Sequence, residues 1–126
     1  MVKDIALLEK AYNDDQGKTA AFNKNILNVV NRFAKTNFDP DQFDHFAFYN
    51  IADARIEMYL RARRNCEVST PHLNGKIFIK EGETIHSENS QKYDPAYFHQ
   101  LANSTGLQIK DIYTDVNQWF SLVHFQ

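Results

Sequence analysis

The residues best equipped for chemistry stand together in one stretch, Glu83-Thr84-Ile85-His86-Ser87-Glu88-Asn89-Ser90-Gln91-Lys92-Tyr93. Side chains of a strand alternate between its two faces. A straight strand here puts Thr84, His86, Glu88 and Ser90 on one face, and Glu83, Ile85, Ser87 and Asn89 on the other. The first face joins a carboxylate acceptor to groups that both donate and accept, suitable equipment for holding a small polar ligand. The same pattern also describes a solvated edge strand, a common device of antiparallel sheets. Pattern alone leaves both readings open.

Other chemistries have less behind them. The four glycines, Gly17, Gly75, Gly82 and Gly106, are too dispersed to form a phosphate-cradling loop. The five histidines lack metal-ligand spacing, the nearest approach being His86 with Glu88, and no metal site is expected. Cys66 stands alone, which excludes an intrachain disulfide, and reads as a small buried apolar residue. A formal charge of -2 argues against a nucleic-acid binder. The short cluster Arg61, Arg63 and Arg64 reads as a solvated face. Nothing resembles a signal peptide or a membrane span, so a cytoplasmic setting is the expectation.

The elements that must position the focal strand can be read in order. With 126 residues the chain fits one domain with a real core. Ile5, Leu8 and Tyr12 recur at helical spacing, and Asn13-Asp14-Asp15-Gln16-Gly17 stops that helix. A longer helix follows from about Lys18 to Thr36. Its stripe of Phe22, Ile26, Val29, Val30 and Phe33 should face the core, with Lys24, Asn28, Asn31 and Lys35 facing water. Asp39-Pro40 opens one short turn. Period two then predicts strands over Asp44 to Ile51 and Arg55 to Arg63, the second with Ile56, Met58, Leu60 and Ala62 on its apolar face. Weaker strands are expected over Glu67 to Thr70 and Lys76 to Lys80. Asp94-Pro95 starts a helix that Gly106 should end in a left-handed cap, and two strands close the chain, Leu107 to Thr114 and Trp119 to Phe125. Two descriptions survive at this level: a small α+β ligand-binding module without enzymatic activity, or a piece of a larger enzyme whose cofactor loop lies elsewhere.

The wording of the sequence bears on that choice. Ala11-Tyr12-Asn13-Asp14, Gly17 to Asn25, Phe38-Asp39-Pro40-Asp41-Gln42-Phe43, Arg55-Ile56-Glu57-Met58 and Gly82 to Ser90 occur together and in order. So arranged, they resemble the C-terminal part of the histidine-specific, S-adenosylmethionine-dependent methyltransferase family, whose best-known member trimethylates the α-amine of histidine on the way to ergothioneine. The resemblance runs from Lys3 to Phe125. One departure is Tyr113-Thr114-Asp115, where Trp-Thr-Asp is more typical.

The resemblance implies an α+β fold: N-terminal helices, a mainly antiparallel sheet, then a helix and two strands that would complete a Rossmann-like methyltransferase sheet. It implies that residues 1–90 form part of a substrate-binding subdomain and 91–126 the C-terminal end of the methyltransferase domain. A full family member is longer, so Met1 is expected to fall at the boundary of a cofactor domain. The S-adenosylmethionine site would then lie outside this chain, which alone should be inactive. Carried over residue by residue, Glu88 and Ser90 match a Glu-x-Ser pair that holds the substrate imidazole. Met58 matches a methionine beside that ring, and Tyr12 a tyrosine at the carboxylate end. The implied partners are a small amino-acid substrate and the remainder of the parent protein. The hairpin of the last two strands, cut from a larger sheet, should leave apolar surface for self-association.

Overall fold

The computed structural model describes residues 4–126. Helix α1 spans Ile5–Tyr12, its first turn capped by the Asp4 carboxylate, which accepts from Leu7 N. The turn after it does double duty. Asp14 accepts from the backbone N–H groups of Lys18 and Thr19, so its carboxylate caps helix α2, Lys18–Ala34. Hydrogen bonding by Thr19, then Lys18, holds the Asp14 carboxyl down at about 2. Gly17 at the junction has φ +67°, a left-handed value that suits glycine.

One turn of 3-10 helix, Pro40–Gln42, leads into strand β1, Phe43–Asn50. β1 pairs antiparallel with β2, Arg55–Ala62, which pairs antiparallel with β5, Thr84–Gln91, giving the order β1-β2-β5. Between β2 and β5 in the chain, β3 (Cys66–Ser69) and β4 (Lys76–Ile79) make a separate antiparallel hairpin. Helix α3, Pro95–Thr105, ends at left-handed Gly106, and β6 (Ile109–Thr114) pairs antiparallel with β7 (Ser121–Phe125). This is the expected α+β architecture. Among the described residues no helix is long and apolar enough to cross a membrane.

Both helices lie on one face of the three-stranded sheet. Under α2, Leu27 packs with Phe43, Leu60, Ala62, Val68 and Ile79, with half-buried Cys66 and Ile85 against them. Burial pushes the Cys66 thiol up. Under α1, Leu8 packs with Ala47, Tyr49, Ile56 and Met58, and Tyr12 leans on this second cluster. The apolar face expected for β2, Ile56, Met58, Leu60 and Ala62, is the buried one.

The inward face of α2 differs from the expected stripe. Phe22 and Phe33 are 64% and 78% exposed, and Ile26 and Val29 are also exposed, whereas Asn23 and Leu27 are buried. The reason is that amides, not phenyl rings, bolt this helix down. Asn23 Nδ2 donates to Tyr59 O, and Asn31, expected to face water, donates to Phe38 O and accepts from Phe38 N at 2.7 and 2.8 Å. Amides taken out of water hold their position through such hydrogen bonds.

Candidate functional site

Strand β5 carries the candidate residues, and its register departs from straight alternation. Met58 lies opposite Glu88 and Tyr59 opposite His86, so Ser87 is an extra residue, a β-bulge. The Ser87 hydroxyl donates to Met58 O at 2.9 Å, filling the gap in the ladder. Cross-strand partners share a face. Ile85 therefore joins Leu60 on the helix-covered side, and Glu88 and Ser90 join Met58 and Ile56 on that same side. His86 goes to the other face with Tyr59. The expectation that His86, Glu88 and Ser90 share one face is thus corrected, and the bulge is the cause.

On that outer face His86 stacks on Tyr59 with ring centroids 4.5 Å apart, and Tyr59 stacks on Phe46 and Phe48. The Asn89 amide oxygen can only accept, so His86 Nε2–H donates to it at 2.7 Å. Nearby, buried Glu57 receives Arg55 twice on one oxygen, at 2.9 and 2.7 Å, together with Asn50 at 2.9 Å, and Tyr59 Oη–H on the other at 2.6 Å. Hydrogen bonds from Tyr59, Asn50 and Arg55 hold its carboxyl at about 2.

The inner face is where the candidates meet. Tyr12 Oη and Ser90 Oγ are 2.7 Å apart, and Lys92 Nζ donates to both, at 2.8 and 2.6 Å. The same ammonium sits 4.7 Å from the centre of the Tyr12 ring, a cation–π position. Burial pushes the Tyr12 phenol up, but hydrogen bonds with Lys92 and Ser90 and the Lys92 charge outweigh it and leave it below its ordinary value. Lys92 is itself fixed, because its backbone N–H donates to Ala54 O at 2.8 Å.

Tyr12 is placed by the way α1 clamps the edge of β1. Asn13 Nδ2 donates to Ala47 O and Asn13 Oδ1 accepts from Ala47 N, each at 2.9 Å. Glu9 accepts from Tyr49 N at 2.9 Å. His45 Nε2 lies 2.8 Å from Tyr12 O; a carbonyl only accepts, so Nε2 carries the proton and Nδ1 accepts from Asn23 Nδ2 at 2.9 Å. One imidazole therefore ties α1, α2 and β1 together directly under Tyr12.

Of the four residues singled out in the sequence, Tyr12 and Ser90 touch, Glu88 is exposed two residues from Ser90 on the same face, and Met58 lies opposite Glu88. Met58 is 1% exposed and packed in the α1 cluster, so it is the floor beneath Glu88 and offers almost no open surface. Glu88 borders a cleft of about 190 Å³ with Phe22, Asn23, Ile26 and Val29 of α2. Tyr12 and Lys92 border another, of about 330 Å³, shared with Phe98 and Phe120. Lys92 was missed by sequence reasoning although it stands in the focal stretch. The available signal was its spacing of two from Ser90, although β5 itself ends one residue earlier at Gln91.

Every strand pair is antiparallel, so no strand–loop–helix crossover forms among the described residues. The four glycines sit in separate turns with open space where a Cβ would stand.

Comparison with known proteins gives these observations a frame. A model described as "Histidine-specific methyltransferase, SAM-dependent" matches residues 1–126. The chain is 40% identical over 115 residues to a histidine N-alpha-methyltransferase of Mycolicibacterium smegmatis, covering 91% of this chain and 36% of the relative. It is 43% identical over 95 residues to one of Mycobacterium tuberculosis, covering 75% and 30%. The chain thus spans about a third of the length of these relatives. With the family model matching over its whole length, the chain belongs to the SAM-dependent, histidine-specific methyltransferase family.

Proposed function

We propose that this chain supplies the substrate-holding part of a methyltransferase acting on the α-amine of histidine or a close relative. In this reading residues 1–90 are the substrate-binding subdomain and 91–126 the C-terminal end of the catalytic domain. S-adenosylmethionine is held by regions of the protein corresponding to the rest of the relatives' length. The convergence of Tyr12, Ser90 and Lys92 beside Glu88 is the observation that carries it. Glu88 accepts a ring N–H, Ser90 meets the second ring nitrogen, Tyr12 lies at the carboxylate end, and Met58 supports Glu88 from below.

Methylation of an amine needs its lone pair free. An α-amine titrates at about 7.7–8.0, so a usable neutral fraction exists near pH 7 and no strong base is required. The work left to these side chains is positioning: holding the ring and the carboxylate fixes where the nitrogen points. A carboxylate facing the ring favours histidine over amino acids with apolar aromatic rings. The exposed apolar residues of the C-terminal hairpin, among them Ile112 and Leu122, give the isolated chain a surface for self-association.

The test uses this chain in place of the matching region of the M. smegmatis relative. The chimera should methylate histidine, and Glu88→Ala should lower kcat/KM for histidine about five- to 150-fold, the consequence of leaving a polar partner unpaired. An apolar aromatic amino acid should lose less. Equal losses on both would make Glu88 a structural residue. The 126-residue chain by itself should give no methylated histidine from labelled S-adenosylmethionine. Turnover by it alone would refute the placement of the cofactor site, and tight binding of an unrelated small molecule would favour a non-enzymatic module.

A further inference from the structure

The hydrogen bonds around Ser90 can be counted to the last proton. A serine hydroxyl has one proton to donate and two lone pairs to accept with, and a lysine ammonium only donates. Lys92 Nζ, 2.6 Å from Ser90 Oγ, therefore fills one Ser90 lone pair, and at 2.8 Å it also fills a lone pair of Tyr12 Oη. One proton must lie in the 2.7 Å contact between the two hydroxyls. A phenol is a far stronger acid than an alkanol, so Tyr12 is the donor there. Both Ser90 lone pairs are then occupied, and its own proton is left to point outward.

We propose that Lys92 is a specificity-determining positioning residue: by filling the Ser90 and Tyr12 acceptor sites it makes Ser90 a donor toward the substrate, so that with Glu88 as acceptor the site takes a ring bearing one N–H and one bare nitrogen. The inference rests on Glu88 and Ser90 being the ring contacts. It adds the reason why a hydroxyl, which by itself accepts as readily as it donates, reads only one kind of ring nitrogen. A ring with N–H but no bare nitrogen would leave the Ser90 proton unpaired. A ring with the bare nitrogen but no N–H would leave Glu88 unpaired. A doubly protonated imidazole would set N–H against O–H. The neutral imidazole meets both demands.

Three substrates separate these contacts in the chimeric enzyme. Histidine has both ring nitrogens. A pyrrolylalanine keeps the N–H and has CH for the bare nitrogen, and a thiazolylalanine keeps the bare nitrogen and has sulfur for the N–H. With Lys92 present, both analogues should fall about tenfold or more below histidine in kcat/KM. Lys92→Met should narrow the histidine-to-pyrrolylalanine gap and leave the histidine-to-thiazolylalanine gap unchanged. Lys92→Arg, which still donates, should keep both gaps. Ser90→Ala removes the hydroxyl while retaining the lysine, and should close the pyrrolylalanine gap in the same way, which keeps the test decisive if Lys92→Met does not fold. Equal loss on all three substrates in Lys92→Met would reduce Lys92 to packing and overturn the proposal, as would a pyrrolylalanine gap that survives Ser90→Ala. If the thiazolylalanine gap stands while Lys92→Met leaves the pyrrolylalanine gap unchanged, the role of Lys92 alone fails. If neither analogue is rejected at the outset, the assignment of Glu88 and Ser90 fails with it.

Discussion

A single side chain, Asn13, takes both the amide N–H and the carbonyl of Ala47, each at 2.9 Å, as a neighbouring strand would. The edge of β1 is thereby closed by a helix end, and the residue that closes it adjoins Tyr12. Fold and site meet at this pair.

Removing that pair should cost both. Asn13→Ala leaves the Ala47 N–H and C=O without their partner, and about 1–3 kcal/mol of stability should be lost in urea unfolding. Asn13→Asp should fall short of rescue, because a carboxylate accepts from Ala47 N but cannot donate to Ala47 O. Equal stability of wild type and Asn13→Ala would show that water serves the edge as well.

Acid sensitivity should trace in part to Glu57. Its folded value of about 2 lies below the ordinary 4.5, so the stability it contributes is present above pH 4.5 and fades as pH falls toward 2. Urea midpoints measured from pH 6 to pH 2.5 should fall less steeply for Glu57→Gln than for wild type. Parallel slopes would assign the acid response to other groups, Asp14 first among them.

The two sides of α2 should respond oppositely to truncation. Leu27, 2% exposed, sits in the core, and Leu27→Ala should cost about 2–5 kcal/mol. Phe33, 78% exposed, should tolerate Phe33→Ser within about 0.5 kcal/mol. A large loss at Phe33 would mean that a second molecule covers it in solution.

Self-association is the expected state of the isolated chain at micromolar concentration. Sedimentation should find a dimer or larger species, and Leu122→Lys on the 65% exposed Leu122 of β7 should shift it toward monomer. A concentration-independent monomer would sink the idea. A dimer unaffected by Leu122→Lys but broken by Phe33→Lys would relocate the contact to α2.

Local signals served the fold well where each element announces itself. Asp39-Pro40, Asp94-Pro95 and Gly106 stand at the element ends they implied, and the alternation of β2 named its buried face residue by residue. Two things were hidden. The apolar stripe of α2 was visible, but which side of α2 meets the sheet depends on Asn23 finding the Tyr59 carbonyl far along the chain and on Asn31 finding the backbone of Phe38 beyond the helix end. Hydrophobic periodicity carries no information about such partners. In the site, Tyr12 and Ser90, which touch in the structure, were singled out by the resemblance together with Met58 and Glu88. Lys92 was not, because its role exists only once Tyr12, eighty residues away, is brought beside it.

The extra residue at Ser87 also sets an arithmetic condition on β5. Every residue added to a strand reverses the face that follows, so the interval between two same-face residues is even unless a bulge intervenes. Ile85, held on the core side against Leu60, and Glu88, opposite Met58, are three apart, an odd interval. Deleting Ser87 would make the interval even and let the strand run straight, with the core residue and the carboxylate still on one side. Inserting a second residue there would also make the interval even, but a straight strand would then carry Glu88 two places along β2, opposite Ile56 instead of Met58. At the natural odd interval the bulge alone keeps Glu88 and Ser90 on the core side: a strand run straight through Ser87 would leave Ile85 in the core and turn both residues to the outer face.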